Sequence, residues 1–216
     1  MQLLPYAILD MDGTLLDSTG MWDQVAVQVL APWGIRYTGQ ERSDTATMTV
    51  EGAAAYYVRR FSLPVTAAKM ADAIRRQARA DYATMASLKP GMVQALDAMR
   101  ARGVTLCVAS GTEKPLVDAA LAHFGILDRF AFTLGCATPR GKEEPEVYFR
   151  AAERLGAGPA QIMVFEDSPT AIRTAKAAGF YTIGVLDAYT RPCWDDIRAT
   201  ADTVLENWAD WTAQLS

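Results

Sequence analysis

The stretch Tyr6-Ala7-Ile8-Leu9-Asp10-Met11-Asp12-Gly13-Thr14-Leu15 decides how the chain folds. Its first four residues form a continuous run of the kind found in strands buried on both faces. Asp10 and Asp12 follow at once, and Gly13 lets the backbone turn sharply away. In a parallel α/β sheet the reactive crevice lies beyond the carboxyl ends of the strands. Two aspartates at that edge would both approach it. The same Asp-Gly-Thr could also be a plain turn, so the rest of the chain has to arbitrate.

Working outward, further runs predict strands over residues 104–109, more weakly over 130–134, then over 162–165, 181–186 and, short, 203–205. Helix patterns separate them over 92–102, 115–124, 145–155 and 169–178. These stop at Gly103, Gly125, Gly156 and Gly179, the residue that most cheaply adopts the left-handed conformation ending a helix. Ser168-Pro169 reads as an N-cap followed by a first-turn proline. Such a β-α repeat predicts an α/β protein with a Rossmann-like, doubly wound parallel sheet and helices on both faces. Residues 15–88 break the rhythm. They hold no convincing strand and three helix candidates: 21–31, one capped by Ser43-Asp44 and running to Phe61, and an Ala- and Arg-rich one over 66–86. Breaks fall at Pro32-Trp33-Gly34, Ser62-Leu63-Pro64 and Lys89-Pro90-Gly91. The expected division is an α/β core of residues 1–16 and 89–216 with an inserted all-helical cap, 17–88. The length agrees, since 216 residues make about 1.4 domains at roughly 150 residues each.

Composition narrows the chemistry. Lys plus Arg is 21 against 25 Asp plus Glu, a net charge of −4, which argues against a broad nucleic-acid surface. No run approaches the roughly 18 apolar residues that suggest a membrane span. Residues 1–10 lack the basic start and long apolar run of a signal peptide, so a cytoplasmic protein is expected. The single histidine, His123, excludes a multi-His metal site and argues against a Ser-His-Asp triad. It is read as structural. Cys107, Cys136 and Cys193 are widely spaced and odd in number, and are read as buried free thiols.

Other strand ends add polar groups. Ser110-Gly111-Thr112 supplies hydroxyls and a flexible backbone suited to phosphate oxygens, or caps the helix that follows. Lys142 precedes a helix, either as an anion ligand or as a solvated loop residue. Glu166-Asp167 either joins the crevice or complements a helix dipole. Gathered at one sheet edge, Asp10, Asp12, Glu166 and Asp167 would raise one another's pKa values. A hard divalent cation relieves that crowding, and Mg²⁺ favours carboxylates, waters and phosphate. With Lys142 as a point charge for a phosphoryl oxygen, the set suits phosphoryl transfer.

These motifs make the chain resemble the haloacid dehalogenase superfamily, in its branch of phosphatases and β-phosphoglucomutases with a helical cap. Asp10 to Thr14 matches Asp-x-Asp-Gly-Thr and extends through Leu15-Leu16-Asp17-Ser18. Ser110, Lys142 and Glu166-Asp167 match the second, third and fourth motifs, in order. The third motif departs from the usual Gly-Lys-Pro-x-Pro-Asp, standing here as Gly141-Lys142-Glu143-Glu144-Pro145-Glu146. The resemblance implies a Mg²⁺-dependent phosphatase of small phosphorylated metabolites. Asp10 would be the nucleophile that forms an aspartyl-phosphate, and Asp12 the general acid and then base. Ser110, Gly111 and Lys142 would hold the phosphoryl group. Mg²⁺ would sit on Asp10, the main-chain carbonyl of Asp12, Asp167 and nearby Glu166.

Cap candidates for substrate contact are Asp17, Met21, Trp22, Arg42, Met48, Arg59 and Arg60. The run Arg75-Arg76-Gln77-Ala78-Arg79 is read as a solvated face. Trp22 stands where the phosphoglucomutases carry a cap histidine, which counts against a mutase, the alternative reading. A non-catalytic phospho-ligand binder is the other alternative. No nucleic-acid or membrane partner is expected, and the chain is expected to be a monomer or weak homodimer.

Overall fold

In a computed structural model, which describes residues 3–45, 48–138 and 140–215, the chain begins its fold with β1 (Tyr6–Leu9). Next come β2 (Leu16–Asp17), α1 (Thr19–Leu30), α2 (Gly39–Thr45), α3 (Val50–Arg60), α4 (Ala67–Thr84) and β3 (Ser87–Leu88). The remainder alternates: α5 (Met92–Ala101), β4 (Thr105–Ser110), α6 (Lys114–His123), β5 (Thr133–Gly135), α7 (Glu146–Leu155), β6 (Ile162–Glu166), α8 (Pro169–Ala177), β7 (Tyr181–Val185), α9 (Trp194–Thr200), β8 (Thr203–Leu205) and α10 (Trp208–Leu215).

The predicted parallel sheet forms with strand order β5-β4-β1-β6-β7-β8. Tyr6 pairs with Thr105 on one side and Ile162 on the other, and every ladder in this sheet is parallel. β1 is therefore central. The chain winds away from it in both directions, which puts a topological switch point at its carboxyl end. Successive residues pack against opposite layers, as the pleat requires. Ala7, Leu9, Leu106, Val108, Met163 and Phe165 face the larger core. Ile8, Cys107, Ala109 and Val164 face the smaller one, with Val147 and Tyr148 of α7. At the C-terminus, Trp208 stacks on Phe165 with 5.4 Å between centroids. Its Nε1–H donates to the Thr14 carbonyl at 3.0 Å, tying α10 to the loop after β1.

The four helices α1–α4 leave and rejoin this core through one narrow ribbon. β2 and β3 pair antiparallel, Leu16 with Leu88 and Asp17 with Ser87. This corrects the expectation that residues 15–88 hold no strand, because two-residue strands carry no periodic signal. The helix expected from Ser43-Asp44 to Phe61 is two helices. Ser43 and Asp44 lie inside α2, and α3 is capped by Thr49, whose hydroxyl accepts from Gly52 N–H at 3.3 Å. Residues 46 and 47 of that expected helix, like Met1 and Gln2 of the leader reading, lie outside the described residues. The Ser168 cap stands as expected, accepting from Ala171 N–H at 3.4 Å ahead of Pro169.

Two further expectations need correcting. Arg75 is not merely solvated: it donates to Glu113 at 2.8 Å, joining α4 to the N-cap of α6, and also pairs with Glu51 and Asp72. Ala78 in the same run is fully buried. Of the cysteines, Cys107 is buried, Cys136 half-buried and Cys193 exposed, and all three are free. Burial pushes the Cys107 thiol up to about 12 and the Cys136 thiol up to about 11, so these two stay protonated. His123 is exposed in the last turn of α6, edge-on to Phe124. No helix among the described residues is long and apolar enough to cross a membrane.

Candidate active site

The carboxyl ends of β1, β4 and β6 converge on one cavity of about 610 Å³, closed on its far side by α1–α4. Asp10, Asp12, Ser110, Gly111, Lys142, Glu166 and Asp167 all line it. Asp10 leaves β1 with its N–H donating to the Phe165 carbonyl of β6 at 3.0 Å, so backbone pairing fixes where its side chain starts. Gly13 makes the turn that follows, at φ 83°. A Cβ there would meet the Asp167 carboxylate, 2.5 Å from its Cγ. Gly13 therefore serves both the backbone conformation and the close approach of a neighbouring acid.

The acids sit in two different environments. Asp10, Glu166 and Asp167 are buried, and each offers an oxygen within 4.8 Å of the others. Lys142, 7% exposed on a single 3₁₀ turn, bonds both Asp10 and Glu166 through its Nζ. Glu166 also accepts from the Tyr148 hydroxyl at 3.0 Å and from Ser168 N–H at 3.3 Å. Asp167 accepts from the Thr190 hydroxyl at 3.4 Å. Burial pushes the Asp10 carboxyl up to about 8, with Lys142 opposing and Glu166 and Asp12 adding to the rise. Burial likewise raises Asp167 well above the usual carboxylate range, reinforced by Glu166 and Asp10. One ammonium among three buried carboxylates leaves negative charge uncompensated. This is the donor set a hard divalent cation fits, since its charge reverses both shifts.

Asp12 is only half-buried, and neutral hydroxyls hold it. Its Oδ1 accepts from Ser18 at 2.6 Å and Tyr82 at 2.7 Å, and its Oδ2 from Thr112 at 2.9 Å. Tyr82 comes from α4, 70 residues away in sequence. Its hydroxyl proton is held far into the alkaline range, first by burial and then by the Asp12 charge. Ser110 is buried at the end of β4, and its Oγ accepts from Thr112 N–H at 3.1 Å. At Gly111 a Cβ would meet open space.

Of the residues expected from the inserted helices, Trp22, Arg42 and Met48 line the cavity. Asp17 is exposed in β2 and does not line it, and neither do Met21, Arg59 and Arg60. Sequence reading missed Tyr82, Tyr148, Asp23, Tyr189 and Thr190, and noted Thr112 without a partner. The one available signal was Ser18-to-Asp12 proximity along the chain. The rest depends on tertiary contacts.

Comparison with known proteins agrees with this geometry. The model of the haloacid dehalogenase-like hydrolases matches residues 6–179. Protein CbbY of Rhodobacter capsulatus is 30% identical over 217 residues, covering 94% of this chain and 90% of that protein. A probable pseudouridine-5'-phosphatase of Drosophila melanogaster is 28% identical over 192 residues, 84% of this chain and 81% of that protein. The crystal structure of CbbY from Rhodobacter sphaeroides in complex with phosphate superposes with a TM-score of 0.82 at 25% identity, covering 96% of each chain. A sheet centred on an Asp-x-Asp-Gly-Thr strand, acids converging at its edge and a family match across most of its length make this chain a member of the haloacid dehalogenase-like hydrolases.

Proposed function

We propose that the chain is a Mg²⁺-dependent phosphatase that hydrolyses a small phosphomonoester through an aspartyl-phosphate on Asp10. The observation that carries this reading is the pairing of two unlike aspartates at one cavity. Asp10 is clustered with Glu166, Asp167 and Lys142, while Asp12 beside it is held, among the described residues, by hydroxyls. Asp10, Asp167 and the main-chain carbonyl of Asp12 would hold Mg²⁺, with Glu166 nearby. Bound there, the ion supplies positive charge to the buried carboxylates and to the phosphoryl oxygens.

In the first half-reaction a carboxylate oxygen of Asp10 forms a bond to phosphorus as the bond to the leaving oxygen breaks. Asp12, entering protonated, gives its proton to that oxygen. In the second half-reaction Asp12 takes a proton from water. The resulting nucleophile attacks phosphorus, releases phosphate and restores the Asp10 carboxylate. Ser110 Oγ and the backbone at Gly111 face the phosphoryl group, and Lys142 offers its charge to one of its oxygens. In transfer of this kind positioning and electrostatics supply most of the acceleration. Residues 17–88 act as the cap over a core of 1–16 and 89–216, and the β2–β3 ribbon is where the two meet. The cap excludes water and surrounds the leaving group.

The test is phosphate release from p-nitrophenyl phosphate with and without Mg²⁺, for the wild type and Asp10→Asn. Release should need Mg²⁺ and fall by roughly 10³-fold or more in the variant. A folded Asp10→Asn protein with wild-type turnover would overturn the mechanism.

A further inference from the structure

Building on that reading, we propose that the leaving part of the substrate is an uncharged alcohol. The protein then selects single phosphate monoesters against bisphosphates and phosphorylated carboxylic acids. The cavity away from Asp10 is walled by Val25, Ala26, Val50, Ala53 and Ile74, with the Trp22 and Tyr57 rings. A surface of that kind receives the C–H face of an alcohol and gives nothing back to a second anion.

The charges in the cavity point the same way. Among the described residues its cations are Lys142, Arg42 and Arg173, and the undescribed residues carry no charged side chain. Lys142 is committed to Asp10 and Glu166. Arg173, half-exposed on α8, donates to Asp196 at 2.6 Å and to Thr170 at 3.3 Å. Arg42 is the cation on the inserted helices. Its Nε donates to Asp23 Oδ1 at 3.0 Å and its Nη2 pairs with Asp23 Oδ2. The Tyr189 ring lies 4.9 Å from the guanidinium, and the Tyr189 hydroxyl donates to the same Asp23 at 2.8 Å. This clasp joins α1 and α2 to the loop after β7 and neutralises Arg42. A second phosphate or a carboxylate has two courses. It can lie unpaired against the apolar wall, or it can draw Arg42 off Asp23, which is 9% exposed and would keep only the Tyr189 hydroxyl. Either course costs binding free energy.

The experiment compares kcat/KM for fructose 1-phosphate, fructose 1,6-bisphosphate and phosphoglycolate, with p-nitrophenyl phosphate as the control for turnover. Binding of the same three compounds to Asp10→Asn, by calorimetry with Mg²⁺, provides a readout that needs no catalysis. The monoester should be preferred at least about tenfold in both assays. Asp23→Asn, which frees Arg42, should shrink that preference by at least about fivefold. Equal or better use of the bisphosphate or the acid, with equal or tighter binding to Asp10→Asn, overturns the inference. Failure of all four compounds to turn over overturns the phosphatase reading, and the binding order still decides the substrate class.

Discussion

Tyr82→Phe isolates what the inserted helices contribute to chemistry. The Tyr82 hydroxyl lies 2.7 and 2.9 Å from the two oxygens of Asp12, and the ring is 3% exposed. Phenylalanine keeps the ring and its edge contact with Trp22, at 6.1 Å between centroids. What is lost is the hydroxyl's bonding to an acid that keeps Ser18 and Thr112 as donors, with its 3.4 Å contact to Thr112 Oγ1. A hydrogen bond to a charged group contributes about 1.5–3 kcal/mol. If it sets the direction in which Asp12 delivers its proton, the chemical step slows about 10- to 150-fold. Asp12 stays satisfied by Ser18 and Thr112. The stability cost should therefore stay near 1 kcal/mol, a shift of about 2–4 °C in Tm at this length.

The assay follows the first turnover by rapid mixing. An alkyl phosphate needs a proton on its leaving oxygen, so its first turnover should slow by the full factor. p-Nitrophenolate leaves without one. Its burst should keep the wild-type rate, while steady-state turnover falls because the second half-reaction still uses Asp12 as base. Equal slowing of both bursts, or a Tm loss above about 10 °C, would mean that Tyr82 supports the fold and does not direct a proton.

Two other perturbations probe the acidic cluster. Gly13→Ala places a methyl against the Asp167 carboxylate in a left-handed backbone, a conformation costing about 1–2 kcal/mol on its own. The Mg²⁺ concentration for half-activation should rise at least about tenfold; an unchanged activation curve refutes the role given to Gly13. The second concerns pH. Folding raises the Asp10 pKa from 3.8 to about 8, so between those values the cation-free folded state binds the extra proton. Its stability should fall as pH rises through that window, and Mg²⁺ should abolish the slope. Urea unfolding in EDTA and in Mg²⁺, from pH 5 to 9, checks this. A flat EDTA profile counts against the buried cluster.

What the sequence disclosed follows from which interactions are local. β1, β4, β6 and β7 announced themselves as apolar runs because both faces of the sheet are covered. Gly103, Gly125, Gly156 and Gly179 marked helix stops because a left-handed residue is needed there. Asp10, Ser110, Lys142 and Glu166-Asp167 converge because each stands at or just beyond a strand end of one sheet. The misread segment, 43–61, offers Ser43, Asp44, Thr45 and Thr49 as rival caps. Only the packed structure selects Thr49. Tyr82 and Tyr148 were invisible for another reason: both sit on amphipathic helices where an aromatic residue reads as core, and their hydroxyls act at the other end of a buried ring.

The two aspartates of one motif are made unlike by their partners. Lys142 cannot accept a proton bond, so it favours Asp10 as a carboxylate, the form the proposed attack on phosphorus needs. Asp12 has no cation bonded to it among the described residues; its partners Ser18, Tyr82 and Thr112 are hydroxyls. A hydroxyl donates to a carboxylate and, by rotating, accepts from a carboxylic acid. A change of proton on Asp12 would therefore break no ion pair, which suits the acid and then base role proposed for it. One of those three hydroxyls belongs to α4, so in the proposed mechanism the inserted helices that would surround the leaving group also hold the residue that would protonate it. Tyr82 touches Asp12 while Asp23 holds Arg42, so the two variants should fail in different ways: the first in rate, the second in choice of substrate.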